Sequence, residues 1–313
     1  MPTEPFKKLL DRDFAKVAAK PIIDIASPLL IDVVNEATTA FQRCQVSIGR
    51  GGDSEMEKDE GQHLAPFILY RQIIEMADGI EVLISNSCSE ATLPLLRSML
   101  EALLSLEYML KEDYKTRSLS WLCSYVHKRI ENYERVDPTT DRGKELRKTL
   151  EREGGYGVAG FSSSKNIKGL QGLLAGELRR INEEYKSQKN KRPHWYSLFG
   201  GPANLRDLAH QVSKEGYYDL LYRDWSSVTH ATDLSRFLTK TSGGGGGFHP
   251  LRYPENLKDY TWLAISFLCI ATGMMIQKFR PSEDFGRWYN AEVKERLDYL
   301  RNLKVEMEPI KNL

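Results

Sequence analysis

Residues 93–109 read Leu93-Pro94-Leu95-Leu96-Arg97-Ser98-Met99-Leu100-Glu101-Ala102-Leu103-Leu104-Ser105-Leu106-Glu107-Tyr108-Met109. Apolar residues recur here at spacings of three and four, the period of an α-helix rather than the alternation of a strand. They occupy so much of the helical surface that little is left to face solvent. The spacing therefore predicts a helix, opening near Glu90, that lies at the centre of a bundle. Two ionisable residues interrupt it, Arg97 and Glu101, four positions apart and so on one face. An exposed pair of this kind contributes only about 0.2–0.5 kcal/mol, and a buried one costs more in desolvation than an apolar replacement. The pair either sits at the rim of the bundle or is kept for use.

Outward from this helix the same period continues in both directions and strand alternation is nearly absent, so the fold class expected is all-α. N-terminal to it, residues 64–87 read as one helix. Residues 5–19 read as an amphipathic helix stopped by Pro21. A further helix runs from Leu29 to about Ile48, with Pro28 in its first turn and Ser27 as its cap. The polar run beginning Gly49-Arg50-Gly51-Gly52-Asp53 reads as a linker. It divides the chain into an N-terminal helical arm with its linker, residues 1–60, and a main body, residues 61–313. C-terminal to the central helix, residues 114–136 are helical, Asp137-Pro138 marks a turn, and 139–153 form a short charged helix. A glycine-rich loop follows, and Lys165 to about Lys189 reads as one solvated, highly charged helix, its basic run through Arg192 a solubilising face. Further helices begin at Asn204 and near Gly216. The five glycines Gly243 to Gly247 lack the spacing of a phosphate-binding loop and read as a hinge. Residues 257–279 are the most apolar helix, stopped by Pro281, and a last helix covers 283–303.

Composition limits what such a bundle does. Lys and Arg number 44 against 43 Asp and Glu, a formal net charge of +1. That balance argues against a protein that coats nucleic acid or a membrane surface, while leaving room for a local basic cleft. The four cysteines are scattered with no paired spacing, so neither a disulfide framework nor a zinc site is expected, and a reducing cytoplasm is the expected location. The apolar run Tyr260 to Ile276 is shorter than the roughly 20 residues of a membrane span, so it is expected to be buried. No cofactor or metal site is expected.

The chemistry-bearing stretch is Tyr222-Arg223-Asp224-Trp225-Ser226-Ser227-Val228-Thr229-His230. In a helix, Arg223 and His230 are almost two whole turns apart and share a face with Ser227 between them. That stripe sets a permanent cation, a hydroxyl and a group titrating near neutrality side by side. RNA carries its own nucleophile, the 2′-hydroxyl, so cleaving it needs only proton transfer and stabilisation of phosphate charge. Histidine supplies the first and a guanidinium the second. The plainer alternative is an amphipathic helix whose polar side contains a histidine. Trp195 and Trp225 are expected to serve packing rather than base stacking, and His127, beside Lys128 and Arg129, is expected at the surface.

Arg223-Asp224 followed by His230 on a late helix resembles the R-x4-6-H motif of the HEPN superfamily, Asp224 standing where a polar residue often follows the arginine. The chain also resembles a bacterial domain-of-unknown-function family, family 5677. The resemblance lies in Leu96-Arg97-Ser98-Met99-Leu100-Glu101-Ala102, then Arg192-Pro193-His194-Trp195, then Tyr222-x3-Ser226-x3-His230, and spans about residues 65–280. It implies a HEPN-like helical bundle, often dimeric, with two such helices facing each other across the dimer axis. It further implies a metal-independent endoribonuclease of the toxin or antiphage-defence kind, with Arg223, His230 and Ser227 catalytic and Arg97, Glu101, Asp224 and Ser226 supporting. RNA, a second copy of the chain and a regulatory or antitoxin protein are the partners implied, with no membrane. The alternative is a non-catalytic helical sensor or protein-binding module using the same polar pocket.

Overall fold

The computed structural model describes residues 9–49, 60–154, 164–229, 238–240, 246–252 and 254–304. The chain is all-α in class. Its helices are α1 (Arg12–Gly49), α2 (Glu60–Ile84), α3 (Leu93–Lys111), α4 (Tyr114–Val136), α5 (Asp141–Arg152), α6 (Ser164–Ala175) and α7 (Arg179–Ser187), then α8 (Leu205–Gln211), α9 (Glu215–Tyr217), α10 (Arg223–Thr229), α11 (Leu257–Phe279), α12 (Phe285–Trp288) and α13 (Lys294–Asn302). One antiparallel hairpin departs from the helical pattern, β1 (Leu238–Lys240) pairing with β2 (Gly246–Phe248) so that Leu238 faces Phe248. Two of the five glycines read as a hinge, Gly246 and Gly247, therefore lie in a strand; residues 241–245 lie outside the described residues.

The described residues form two compact units. One draws on the described residues within 1–57, 66–110 and 209–313, the other on those within 58–65 and 111–208. The first unit is built round α1, α3 and α11. In α3, ten residues from Leu93 to Met109 are buried, as the apolar pattern predicts. The helix starts three residues later than expected because Glu90–Thr92 form a 3-10 turn, in which the Thr92 hydroxyl donates to Ser89 O at 2.6 Å. Arg97 and Glu101 are partly buried, on the stripe of α3 left open by the core.

The N-terminal segment differs from the expectation twice. Pro21 and Pro28 neither stop nor start a helix; both lie inside the single helix α1. Each removes one backbone hydrogen bond, but they are seven residues apart on an exposed face, while Ala19, Ile22, Ala26, Leu29, Leu30 and Val33 are buried beneath it. Packing along α11 overrides the two local breaks. Ser27 is no cap, since its hydroxyl donates to Glu81 Oε1 at 2.6 Å. Helix α1 belongs to the same compact unit as α3 and α11. Buried Tyr70 joins α2 to both: its hydroxyl donates to Ala37 O at 3.0 Å and lies 2.9 Å from Thr272 Oγ1.

Helix α11 spans 257–279 as expected and buries twelve residues, from Leu257 to Ile276. It is the one helix among the described residues long and apolar enough to cross a bilayer, and half of that apolar window is buried inside the protein. The last helix is broken by a π-helical turn, Tyr289–Val293, between α12 and α13.

In the second unit, Cys123, Val126, Leu174, Leu178, Ile181 and Leu198 form a core between α4, α6, α7 and the turn Trp195–Gly200. The expected single solvated helix over 165–189 is here two helices. The chain turns at Gly176, with Leu178 N donating to Leu173 O at 3.0 Å, and this brings Leu174, Leu178 and Ile181 to one core. The α4–α5 turn falls at Asp137-Pro138 as expected. Thr140 caps α5, its hydroxyl accepting from Gly143 N at 3.0 Å.

Candidate functional site

Two links hold the segment 214–222 against α3. Lys214 Nζ lies 3.1 Å from Glu107 Oε2, and Arg97 Nη2 donates to Tyr222 Oη at 2.9 Å. The earlier residue of one element meets the later residue of the other, so the two run antiparallel. The Arg97 guanidinium also sits over the Tyr222 ring, 4.8 Å from its centroid. It pairs with Glu101, Nε lying 3.3 Å from Oε1 though off the line of a good hydrogen bond. Glu101 lies close enough to Tyr222 for its carboxylate to act on the phenol electrostatically. Arg97 can only donate, so the phenol oxygen accepts from it, and the three residues close a cycle of interactions. Partial burial raises the Tyr222 pKa; Arg97 opposes this by hydrogen bonding and Glu101 reinforces it. Tyr222 therefore keeps its proton at neutral pH.

The helix containing this contact is not regular. Tyr218–Tyr222 form a π-helical turn, Arg223 N donating to Tyr218 O. A π-turn inserts one extra residue, rotating everything after it relative to what came before. Tyr222 is thereby turned to α3, stacked on Tyr218 with centroids 5.0 Å apart, while Arg223 is turned outward with 68% of its side chain exposed. Its described partner is Asp219 at 3.7 Å, one turn back on its own helix. Exposed at both ends and that long, the pair contributes little to stability.

The residues singled out from sequence separate into three groups. Arg97 and Glu101 are brought together, on Tyr222 rather than on Arg223. Arg223 and Ser227 share a face of α10, four apart, but the Ser227 hydroxyl donates to Asp224 O at 2.6 Å. Asp224 is exposed and Ser226 half-buried. His230 lies outside the described residues. Trp225 is 2% exposed and serves packing, as expected. Arg192, His194 and Trp195 fall in the second unit, where Arg192 pairs with Glu131 and His194 stacks on Tyr196 at 4.9 Å. Among the described residues no three His, Cys, Asp or Glu side chains gather as metal ligands would.

Sequence reasoning passed over Tyr222 as a site residue, together with Glu107 and Lys214. The signal for Tyr222 is its place four residues before Ser226 within the resemblance; for the other two no local pattern exists. His127 was also misjudged, because it is half-buried rather than on the surface. Its ring stacks on Tyr185 at 4.1 Å, and Nε2 lies 2.8 Å from Asn182 Oδ1. Asn182 Nδ2 donates to Leu174 O at 3.1 Å, so Oδ1 must accept and His127 Nε2 carries the proton. Burial lowers the His127 pKa, Lys186 adds to that, and the Asn182 bond opposes it. His127, Asn182 and Lys186 line an open cavity of about 290 Å³ with Gln171, Leu174 and Ile130.

Neither a curated protein nor a solved structure matches the chain. Its sequence matches one family profile over residues 63–245, a span that contains α3, the Arg97–Glu101–Tyr222 cycle and His230 and amounts to more than half of the chain. The chain belongs to the family of unknown function (DUF5677).

Proposed function

We propose that the protein is a HEPN-like, metal-independent endoribonuclease, with Arg223 stabilising phosphate charge and His230 moving protons. The observation that supports this reading is the π-helical turn, which commits Tyr222 to α3 and leaves the next residue, Arg223, projecting outward, its cation held among the described residues only by a long, exposed pair with Asp219. Such turns recur at functional sites. In this reading Arg97, Glu101 and Tyr222 position the helix, Ser227 rotates from its backbone partner to the phosphate or the imidazole, and Asp224 and Ser226 border the stripe. The 2′-hydroxyl of RNA supplies the nucleophile. A cytoplasmic toxin or antiphage-defence effector, acting as a homodimer and restrained by an antitoxin or regulatory protein, completes the proposal.

The test is cleavage of labelled RNA by the full chain in EDTA. Arg223→Ala and His230→Ala each lower the rate by about 100-fold or more, the share typical of a general acid–base group or an anion-stabilising donor, with unchanged circular dichroism. Cleavage that persists in both variants removes the assignment. A second reading, a non-catalytic helical binding module, draws on a specific observation as well: Arg97 is engaged by Glu101 and Tyr222 rather than by the Arg223 stripe. It is favoured if the wild-type chain cleaves nothing while a ligand raises its melting temperature.

A further inference from the structure

Phe199, in the turn between α7 and α8, is held in the left-handed region, φ 55° and ψ 37°, with 42% of its surface exposed. Residues other than glycine, asparagine and aspartate avoid that conformation, and a bulky one keeps it only where its surroundings impose it. Here they do. Glu184 Oε1 accepts from Phe199 N at 3.0 Å and also from Gln188 Nε2, pinning both ends of the loop 188–199 to α7. The guanidinium of Arg180, one turn before Glu184, lies over the Phe199 ring at 5.6 Å. An apolar ring is thus held partly exposed beside a cation, at a backbone cost.

The charge around it is predominantly positive. Arg179, Arg180, Lys186, Lys189, Lys191 and Arg192 are all exposed. Of the nearby carboxylates, Glu183 pairs with Arg179 and Glu131 with Arg192, while Glu184 accepts from two neutral loop donors and keeps its charge; over residues 177–192 six cations stand against three carboxylates, Glu177 included. Among the described residues no carboxylate pairs with Arg180, Lys189 or Lys191. A fixed, partly exposed aromatic ring on a surface where cations outnumber carboxylates is the chemistry that holds a single nucleic-acid strand, bases stacking on the ring and phosphates meeting the cations. A duplex hides its base faces and gains nothing from the ring.

We propose that this surface of the second unit, Phe199 with Arg180, Lys189 and Lys191, docks single-stranded RNA. The choice of RNA rests on the ribonuclease reading; the stacking surface rests on the geometry alone. The probe is a fluorescent single-stranded 2′-O-methyl RNA, which lacks the nucleophile and so reports binding without cleavage, titrated against the full chain at several salt concentrations. Binding is expected to weaken with salt. Lys189→Ala and Lys191→Ala are each expected to lower the logarithmic salt slope by about 0.7. Phe199→Gly removes the ring but suits the left-handed backbone, and is expected to weaken binding by about fivefold or more; Phe199→Trp retains it. Absence of binding, or a Phe199→Gly variant that binds like wild type, overturns the proposal, the latter pointing to an acidic protein partner instead. Phe199-dependent binding without cleavage of ordinary RNA removes the ribonuclease reading and leaves this surface standing; cleavage without Phe199-dependent binding does the reverse.

Discussion

At the residue scale, the fate of Arg97 and Glu101 shows what an interrupted apolar pattern means. Neither is fully buried: Arg97 keeps 16% of its side chain exposed and Glu101 keeps 43%. That placement lessens the desolvation penalty that two charges in a dry core would incur, and Tyr222 supplies a hydrogen bond to Arg97 Nη2, while buried Nε has none among the described residues. Tyr222→Phe tests how much the cycle holds. It leaves the ring under the guanidinium but removes the acceptor, and a hydrogen bond to a charged group, partly exposed here, predicts a loss of about 1 kcal/mol in denaturant unfolding. Arg97→Met is then less costly in the Tyr222→Phe background than in wild type, because the two share one interaction. Strict additivity of the two changes would mean that Arg97 and Tyr222 do not cooperate. The i,i+4 spacing made the Arg97–Glu101 pair legible in the sequence; Tyr222, 121 positions from Glu101, is joined to it only by the fold.

At the element scale, the fully apolar helices α3 and α11 were legible because burial on most sides leaves a signature in the sequence itself. Helix α1 was not. Its prolines are strong local breakers, and nothing within residues 12–49 announces that α11 covers the opposite face. The single helix expected over 165–189 failed for a related reason: charge dominates its composition, while the three leucine and isoleucine residues that set its bend are few. Local chemistry still governs where tertiary contacts are tight. A Cβ at Gly143, in the first turn of α5, would overlap the carbonyl of Asp137 and lie 3.1 Å from Thr140 Oγ1. Helix propensity alone favours alanine there by about 1 kcal/mol. The close approach reverses the sign, so Gly143→Ala is expected to destabilise by about 1–3 kcal/mol, measured by unfolding and by faster hydrogen exchange in α5. A variant as stable as wild type would mean that the α4–α5 turn yields.

At the scale of the whole molecule, the two units carry different chemistry, the Arg223 stripe and the Arg97 cycle in one, the His127 cavity and the Phe199 surface in the other. A proton placed on one residue should therefore be felt by one unit. The folded protein disfavours the His127 cation, chiefly through burial, with Lys186 adding to the effect. The unfolded chain takes up that proton as pH falls through about 6.5, while the folded chain resists until lower pH. Across that window the unfolded state binds more protons, so the stability that neutral His127 contributes is complete above pH 6.5, falls with falling pH, and levels off below the folded pKa. His127→Gln removes the titration while offering an amide donor to Asn182. The variant is expected to lose less stability than wild type between about pH 7 and pH 5, and the difference in amide exchange should be confined to α4, α6 and α7, with α1, α3 and α11 unaffected. Identical pH dependence in the two proteins would mean that His127 takes up its proton as readily folded as unfolded, and a difference spread over both units would mean that they unfold as one.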